Sequence, residues 1–368
     1  METEKFMVFP ALHIGDFAAR IPIIQGGMGV GISLSGLASA VANEGGIGVI
    51  AAAMIGIQEP DIHTNPQEAN IRALTREIRT AKERTNGILG VNIMVALTDF
   101  SELVKTAIKE KIDIIFAGAG LPLDLPRYVN NSVHTKLAPI ISSARAATLL
   151  CKKWLAKFDY LPDAFVVEGP LAGGHLGFKP QQIDDPNFAL EKIVPEVIKA
   201  VKPFEQEKNQ RIPIIAAGGI YTGEDICTFL QMGAAGVQMG TRFVATHECD
   251  ADMAFKQAYL DAQEEDAIII TSPVGLPGRA IRNQFLDDVA QGKKIIFKCP
   301  YHCITTCDFH TAPYCIAVAL ANAQKGRLHQ GFAFVGKNVH RIKEILSVKE
   351  LIASLTEQMS SYLPELSA

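Results

Sequence analysis

The sequence lacks both a long apolar run and a strong excess of charge of either sign. Its most apolar stretch, residues 45–57, is interrupted by glycines and is too short to span a bilayer. The formal net charge is −4, from 35 basic and 39 acidic residues, so the charge balance does not favour nucleic acid or an anionic membrane as a partner. We therefore expect neither a membrane segment nor a nucleic-acid partner.

Two further features are missing. The first twenty residues do not have the basic-then-apolar layout of a secretory signal peptide. The seven cysteines are odd in number and widely scattered, which does not predict a disulfide framework. These absences lead us to expect a cytoplasmic protein.

What the sequence does contain is a regular alternation of apolar runs and helical segments. Such alternation predicts parallel strands joined by right-handed crossovers. Eight units over roughly 240 residues match a closed (β/α)8 TIM barrel. The rival is an open doubly wound sheet, which would carry an early G-x-G-x-x-G fingerprint that Gly27–Gly31 does not match. The eight predicted strands are 22–25, 46–52, 87–95, 112–116, 137–141, 164–167, 212–217 and 236–239.

The alternation stops after about residue 261, which predicts a division of the chain. We expect a barrel over residues 1–262, a small and mainly helical second lobe over 263–340, and a C-terminal helix over 341–368 that returns to the barrel. The predicted lobe contains a strand-like run at 267–271, a segment rich in proline and glycine, and a helix near 314–325.

Two successive strand–turn units, within residues 212–243, carry glycines where a phosphate could bind. Gly218 and Gly219 end the seventh strand, and Gly240 with Thr241 ends the eighth. Such turns offer backbone N–H groups, and the second adds a hydroxyl, at the place where barrels commonly bind phosphate. Thr222 is predicted to cap the helix between them. The alternative is that these glycines serve packing alone.

Caps are also predicted at Ser33 or Ser35 for a helix that ends near 43, and at Asp99 or Ser101 for a helix over 99–110. A further helix is predicted over about 188–201.

Several other polar groups are predicted at the same barrel rim. His175 follows the sixth strand behind two glycines, where a histidine can take a proton near neutral pH. Asn92 and Gln238 lie inside apolar strands and must find hydrogen-bond partners in a ligand or a neighbouring strand. The glycine-rich turn Gly26–Gly29 could pack against a flat ring or serve as a tight turn.

Six ordered motifs give the chain a family resemblance. QGGMG, GVNIMV, GAGLP, EGPLAGGHLG, PIIAAGGI and GVQMGTRF together resemble the nitronate monooxygenase family, and most of them also occur in related flavin-dependent enoyl-ACP reductases. The resemblance implies an FMN-containing barrel with His175 as catalytic base. It implies phosphate contacts from Gly219, Gln238, Met239, Gly240 and Thr241, contacts to the isoalloxazine ring from Gly26, Gly27, Met28 and Asn92, and a flavin-side loop containing Ala172, Gly173 and Gly174.

The sequence departs from that family at two positions beside the expected flavin. Glu168 stands where many members have Gln, and Leu171 where many have Glu. A carboxylate at position 168 would oppose the negative charge of a reduced flavin, so Glu168 is expected to be protonated or turned away if it contacts the cofactor.

The function that the resemblance implies is the oxidation of alkyl nitronates with O2 to carbonyl compounds and nitrite. One alternative is an NAD(P)H-dependent FMN reductase of an enoyl thioester or a quinone. Another is a flavin-free barrel that binds a phosphate ligand as a regulatory module. Use of NAD(P)H and assembly into a homodimer stay open at this point.

Two further groups have an open role. Cys299, Cys303, Cys307 and Cys315 could hold zinc or an iron–sulfur cluster, but their spacing matches neither the zinc knuckle nor the common ferredoxin runs. We therefore expect packing or redox-active thiols and no metal. Arg279 and Arg282 could bind a substrate anion or form surface ion pairs.

Overall fold

The computed structural model describes residues 10–129, 134–299 and 301–362. The strands are β1 Leu12–Ile14, β2 Phe17–Ala19, β3 Ile23–Gln25, β4 Gly48–Ala51, β5 Leu89–Met94, β6 Ile114–Gly118, β7 Lys136–Ile141, β8 Phe165–Glu168, β9 Gly174–His175, β10 Ile214–Ala217, β11 Gly236–Met239, β12 Ala267–Thr271 and β13 Pro277–Ile281. The helices are α1 Ser35–Asn43, α2 Pro66–Arg84, α3 Phe100–Lys109, α4 Ala144–Phe158, α5 Leu190–Lys208, α6 Gly223–Gln231, α7 Thr241–Val244, α8 Met253–Asp261, α9 Gln284–Ala290, α10 Ile316–Gln324 and α11 Val348–Tyr362.

Eight of these strands form the predicted parallel barrel. They are hydrogen-bonded in the order β3-β11-β10-β8-β7-β6-β5-β4, and every pairing is parallel. A parallel bridge between Ile24 and Ile47 closes the ring. The TIM-barrel prediction is therefore confirmed.

Alternating side chains of the strands build two apolar layers. Ile24, Val49 and Phe116 point into the barrel, while neighbours such as Ile23 and Ile50 pack outward against the helices. This two-residue period is the one that β geometry imposes. The antiparallel pair β1–β2 contributes to the inner cluster, because Leu12, Ile14 and Ala19 join it. The barrel interior is thus a packed core, and ligands are left to the loops at the strand ends.

The predicted helix caps were confirmed at α6, confirmed in position but not in side-chain bonding at α3, and wrong at α1. Thr222 caps α6, because its side chain accepts a hydrogen bond from the Asp225 N–H at 3.1 Å. Neither Ser33 nor Ser35 caps α1: the first binds the Met28 N–H at 2.8 Å and the second the Glu77 carboxylate at 2.7 Å.

At α3 Asp99 occupies the N-cap position, as predicted, but its side chain makes no capping hydrogen bond. The Asp99 carboxylate accepts a hydrogen bond from the Asn70 side chain at 2.7 Å, and the Ser101 hydroxyl pairs with the Tyr128 hydroxyl at 2.6 Å. Side chains that were predicted to cap these helices therefore form hydrogen bonds with other parts of the chain instead. The helix predicted to end near Val201 also continues to Lys208 through Pro203, and ends at Asn209 in the left-handed conformation.

We expect Thr222→Ala to lower the free energy of unfolding by about 1 kcal/mol, because the first turn of α6 loses its side-chain acceptor. Urea denaturation measures the change. Thr228→Ala on the same helix is the control, since its hydroxyl contacts only the Glu224 carbonyl in the described structure and no helix end. Equal losses in the two variants would contradict a capping role.

The region after the barrel contains a small sheet as well as helices. The strand predicted at 267–271 is confirmed as β12, and the proline- and glycine-rich segment after it contains a second strand, β13. β13 pairs with β12 on one side and with β9, which carries His175, on the other. The final helix, α11, packs against α6 on the barrel wall. The division into residues 1–262, 263–340 and 341–368 stays a prediction.

Among the described residues, no helix combines the length and the apolar composition that crossing a membrane requires.

Candidate functional site

A cavity of about 740 Å³ opens at the carboxyl ends of the barrel strands. It is within the size range of small-molecule and cofactor sites. All the site residues predicted from the sequence line it: Gly26, Gly27, Met28, Asn92, Glu168, Gly173, Gly174, His175, Gly219, Gln238, Met239, Gly240 and Thr241. Residues from distant parts of the chain thus meet around one space.

One end of the cavity is built from the two glycine turns after β10 and β11. Gly218 and Gly219 have φ angles of +96° and +84°, which side-chain-bearing residues rarely adopt. A Cβ atom on Gly219 would lie 3.0 Å from the Leu171 side chain, and one on Gly240 would lie 3.3 Å from the Met28 sulfur. The first turn therefore needs glycine for its backbone conformation, and at both turns an added side chain would crowd a neighbouring side chain.

Residues 334–338, for which the sequence predicted no role, cover this end of the cavity. The Gly336 N–H donates to the Thr241 hydroxyl at 2.9 Å, and the Asn338 side chain donates to the Gly219 carbonyl at 2.6 Å. Lys337 lies between them and also lines the cavity, as does Arg242. The segment F-V-G-K-N combines a glycine with a cation and an amide. In the sequence, only this composition could have indicated a role for the segment. Its position over the turns depends on contacts with residues about a hundred positions earlier.

Two arginines beside this end of the cavity lie over the same aromatic ring. The Arg242 and Arg341 guanidinium groups lie 4.5 and 4.3 Å from the centre of the Tyr221 ring. Within the described residues, neither forms a salt bridge with a carboxylate. Burial lowers the pKa of Arg242 from its usual value, but the guanidinium remains charged at neutral pH. The turns are therefore next to two positive charges that form no salt bridge with a carboxylate of residues 10–129, 134–299 or 301–362.

The other end of the cavity is lined by strand amides and the first glycine turn. A Cβ on Gly27 would come within 2.3 Å of the Asn92 Cβ, and one on Gly26 within 3.2 Å of the Gln238 Cγ. The two glycines let the turn pass directly over both amides. In the part of the chain that the structure describes, neither the Asn92 nor the Gln238 side chain has a hydrogen-bond partner, although both line the cavity. Their donors and acceptors are free for a ligand.

His175 is held in a fixed orientation on the cavity wall. Its Nε2 atom lies 2.8 Å from the Ser272 hydroxyl, and its ring packs edge-on against Phe334 at 5.0 Å. Burial lowers the pKa of His175 to about 4, because the charged imidazolium is poorly solvated there. The imidazole is therefore neutral at pH 7.

The pKa of Glu168 is shifted in the opposite direction, upward. It ends β8 and lines the cavity, and burial raises its pKa to about 7. At neutral pH this carboxyl group exchanges a proton readily, which is the property of a general acid or base. The two groups have pKa values in the reverse of their usual order, a pattern that marks acid–base sites.

Neither arginine considered in the sequence analysis contacts the cavity. Arg282 forms a surface ion pair with Asp287 at 3.0 Å, so the ion-pair alternative is right for it. Arg279 is buried, and its Nη1 atom donates to the carbonyls of Pro170 and Ala172, each at 2.7 Å. It therefore positions the loop before His175, a role that neither alternative anticipated.

Comparison with known proteins places this geometry in context. A family model described as nitronate monooxygenase matches residues 13–358. A probable nitronate monooxygenase of Staphylococcus aureus is 26% identical over 296 residues, which cover 73% of this chain and 78% of that protein. A (3aS,4S,5R,7aS)-5-hydroxy-7a-methyl-1-oxo-octahydro-1H-indene-4-carboxyl-CoA dehydrogenase of Mycobacterium tuberculosis is 30% identical over 274 residues, which cover 74% of this chain and 66% of that protein, just under two thirds.

Solved structures give the same architecture. FabK from Thermotoga maritima has a TM-score of 0.72 and 27% identity, with 94% of this chain and 95% of that chain covered. Nitroalkane oxidase from Streptomyces ansochromogenes has a TM-score of 0.71 and 21% identity over 94% of this chain and 97% of that chain, which supports the fold alone.

Proposed function

We propose that this chain, an oxidoreductase that belongs to the nitronate monooxygenase family, binds FMN in the rim cavity and oxidises alkyl nitronates with O2 to carbonyl compounds and nitrite. One observation carries the proposal. The cavity combines a glycine-built, cationic end with a neutral histidine on its wall. This is the arrangement that a phosphate-bearing redox cofactor and a small substrate require.

The residues present fit FMN at both ends. The N–H groups of the Gly219 and Gly240 turns, the Thr241 hydroxyl, and the charges of Lys337 and Arg242 would hold the phosphate. The Gly26–Met28 turn leaves room for a flat ring above Asn92 and Gln238, whose amides would pair with its polar edge. A bound flavin supplies the electron-transfer chemistry, and the protein positions the substrate against it.

His175 is the group that we assign to the substrate. A neutral imidazole can take the α-proton of a nitroalkane, or pair with the nitro oxygens of a nitronate without competing charge. The Ser272 contact fixes the ring, and Arg279 fixes the loop that carries it. Ser272 and Arg279 are therefore positioning residues.

Glu168 is the group that we assign to proton exchange with bulk solvent or product. Its carboxyl can be neutral beside a reduced, anionic flavin, which removes the conflict that its negative charge would create. This role replaces a direct hydrogen-bonding role of the kind expected for Gln at this position.

The two perturbed groups give a testable dependence of stability on pH. The native state keeps the Glu168 proton that the unfolded chain releases near its usual pKa of 4.5, so this group makes stability fall as pH rises from 4.5 to 7. Below about pH 6.5 the unfolded chain binds a proton on His175, whereas the native state does not bind it until about pH 4. This group therefore makes stability fall as pH drops from 6.5 to 4.

The two contributions oppose each other between pH 4.5 and 6.5 in the wild type. We expect Glu168→Gln to gain stability relative to wild type as pH rises, and His175→Gln to gain as pH falls, each by on the order of 3 kcal/mol across its window. Urea denaturation at intervals from pH 4 to 8 measures both differences. Parallel curves for wild type and variants would contradict the assigned pKa values.

The proposed reaction is tested by turnover of ethylnitronate. We expect O2 consumption and nitrite release that depend on the yellow, flavin-containing protein, together with formation of acetaldehyde. Absence of nitrite from flavin-loaded protein at millimolar ethylnitronate would refute the activity.

A second candidate function is an NAD(P)H-dependent reduction of an enoyl thioester through the same flavin. The observation that favours it is the long apolar wall of the cavity, which a small nitronate would leave uncovered. Its members are Met94, Leu97, Leu121, Phe178, Phe188, Leu276, Ile304 and Leu320. The name of the mycobacterial relative also specifies an acyl-CoA compound. NADPH or NADH oxidation that requires crotonyl-CoA would support this candidate over the first.

A further inference from the structure

Four cysteines outside the candidate active site surround a second, small cavity. Cys299, Cys303, Cys307 and Cys315 all line it, and none of the four is in a disulfide bond. They are spread over 17 positions of sequence, so convergence on one space is a property of the fold. The remaining cysteines, Cys151, Cys227 and Cys249, are buried elsewhere. Four thiols around one space are a complete ligand set for a metal centre.

Mostly apolar side chains surround the four thiols, as is typical of metal centres in proteins. Phe297, Phe309, Ile304 and Ile316 form an apolar shell around the sulfur atoms, and His302 is the other residue that lines the cavity. An apolar shell excludes water and sets the reduction potential of a metal centre. The four cysteines are half-buried, and the fully buried part of the lining is Ile304 and Ile316.

A backbone N–H donates to one of these sulfurs, and a second sulfur belongs to the residue at a helix N-terminus. The His302 N–H donates to the Cys299 Sγ atom at 3.2 Å. Cys315 occupies the N-cap position of α10, a nine-residue helix whose first-turn N–H groups favour an anion. Hydrogen bonds from N–H groups to cysteine sulfurs are a recurrent feature of iron–sulfur sites.

The segment that carries the thiols has no regular structure of its own. Its described part, residues 291–299 and 301–315, contains neither helix nor strand. It is fixed to the barrel at the turn after β5, where the Thr98 N–H donates to the Cys303 carbonyl at 3.1 Å and the Thr305 N–H to the Ala96 carbonyl at 2.9 Å. A long irregular segment inside a compact fold is usually functional, and a bound cluster would give it the internal cross-links that it otherwise lacks.

We propose that the four cysteines bind a [4Fe–4S] cluster. A single zinc ion needs its ligands to converge on one point, and within the described residues no three or more potential ligands are grouped closely enough to hold a metal ion. A cubane cluster instead takes one thiolate at each of four corners, so it suits thiols that surround a space without meeting. This replaces the expectation, drawn from sequence spacing, that the cysteines serve packing or thiol redox chemistry.

The proposed cluster site is directly behind the wall of the candidate active site. Ile304 and Ile316 line the cysteine cavity on one face and the large cavity on the other. Only these side chains separate the two spaces at that point. The proposal itself concerns cluster binding and does not depend on the flavin assignment.

Anaerobic purification of the full-length chain, followed by reconstitution with ferrous iron and sulfide and then desalting, tests the proposal. We expect about four iron atoms and four sulfides per chain, and an electron paramagnetic resonance signal after reduction with dithionite. Protein that retains no iron or sulfide after this treatment would overturn the proposal. So would about one equivalent of zinc, or a disulfide between two of these cysteines in the anaerobic protein.

Matched variants locate the site. Cys303→Ala and Cys315→Ala are expected to lose most of the iron and the resonance signal, whereas Cys227→Ala, which removes a buried cysteine outside the cavity, keeps both. Circular dichroism and size-exclusion chromatography establish that each variant is folded. Full iron content in folded Cys303→Ala and Cys315→Ala would overturn the assignment to this cavity.

Discussion

Replacement of His175 by alanine is expected to lower kcat/KM for a neutral nitroalkane by about 10²- to 10⁴-fold, the usual contribution of a positioned general base. The same variant should lose less than about tenfold with the corresponding nitronate, which has already lost its α-proton. The difference arises because only the neutral substrate needs a proton acceptor. Parallel assays of nitrite release from nitroethane and ethylnitronate measure it.

His13→Ala is the control for that comparison. His13 is exposed on β1, in the hairpin that packs at the opposite end of the barrel interior, so its loss should leave both rates unchanged. If His175→Ala turned over nitroethane as fast as wild type, the base role would be wrong. Equal losses with both substrates would assign the imidazole to nitro-group binding instead.

Substitution of Gly219 by valine is expected to weaken FMN binding by about 10- to 100-fold. The φ angle of +84° is strained for any β-branched residue, and the new side chain would also meet Leu171. The turn must therefore move and withdraw an N–H group from the phosphate, and a hydrogen bond to a charged group contributes about 1.5–3 kcal/mol. Fluorescence titration of flavin-free protein with FMN measures the affinity.

Gly233→Val is the matched control for the glycine variant. Gly233 has a similar φ of +97°, but it follows α6 away from the cavity and its added Cβ would meet only Ile198. The control should lose stability while FMN affinity stays at the wild-type value. Unchanged FMN affinity in Gly219→Val would show that this turn does not hold the phosphate.

The barrel could be predicted from the sequence because parallel strands are buried on both faces. Each strand is then a short apolar run, and β11 was predicted with its observed limits. Helix ends were harder, since Ser35 and Asp99 bond to Glu77 and Asn70, which are distant in sequence. Local patterns report local partners, so the side-chain cap was assigned correctly only for Thr222, whose partner is three residues away, while Asp99 was assigned correctly in position alone.

The residues of the candidate site could also be predicted only in part. Residues near the carboxyl ends of apolar strands, such as Asn92 within β5 and Gly240 after β11, could be assigned to one rim because parallel strands end on the same side. The covering residues Gly336 and Asn338 could not, since their position depends on contacts with Thr241 and Gly219 about a hundred residues earlier. The four cysteines were grouped from the sequence, but their sharing of one cavity could not be predicted, because spacing was compared with known motifs whereas the fold decides which sulfurs share a space.

Anaerobic mixing of the yellow protein with ethylnitronate, and separately with NADH and NADPH, tests the proposed function most directly. The flavin absorbance is recorded in each mixture without O2, so the electron donor is identified before any later step. We expect ethylnitronate to bleach the flavin at a rate that supports turnover, and the nicotinamides to bleach it slowly or not at all. Rapid bleaching by NADH or NADPH, with no response to ethylnitronate, would contradict the monooxygenase assignment.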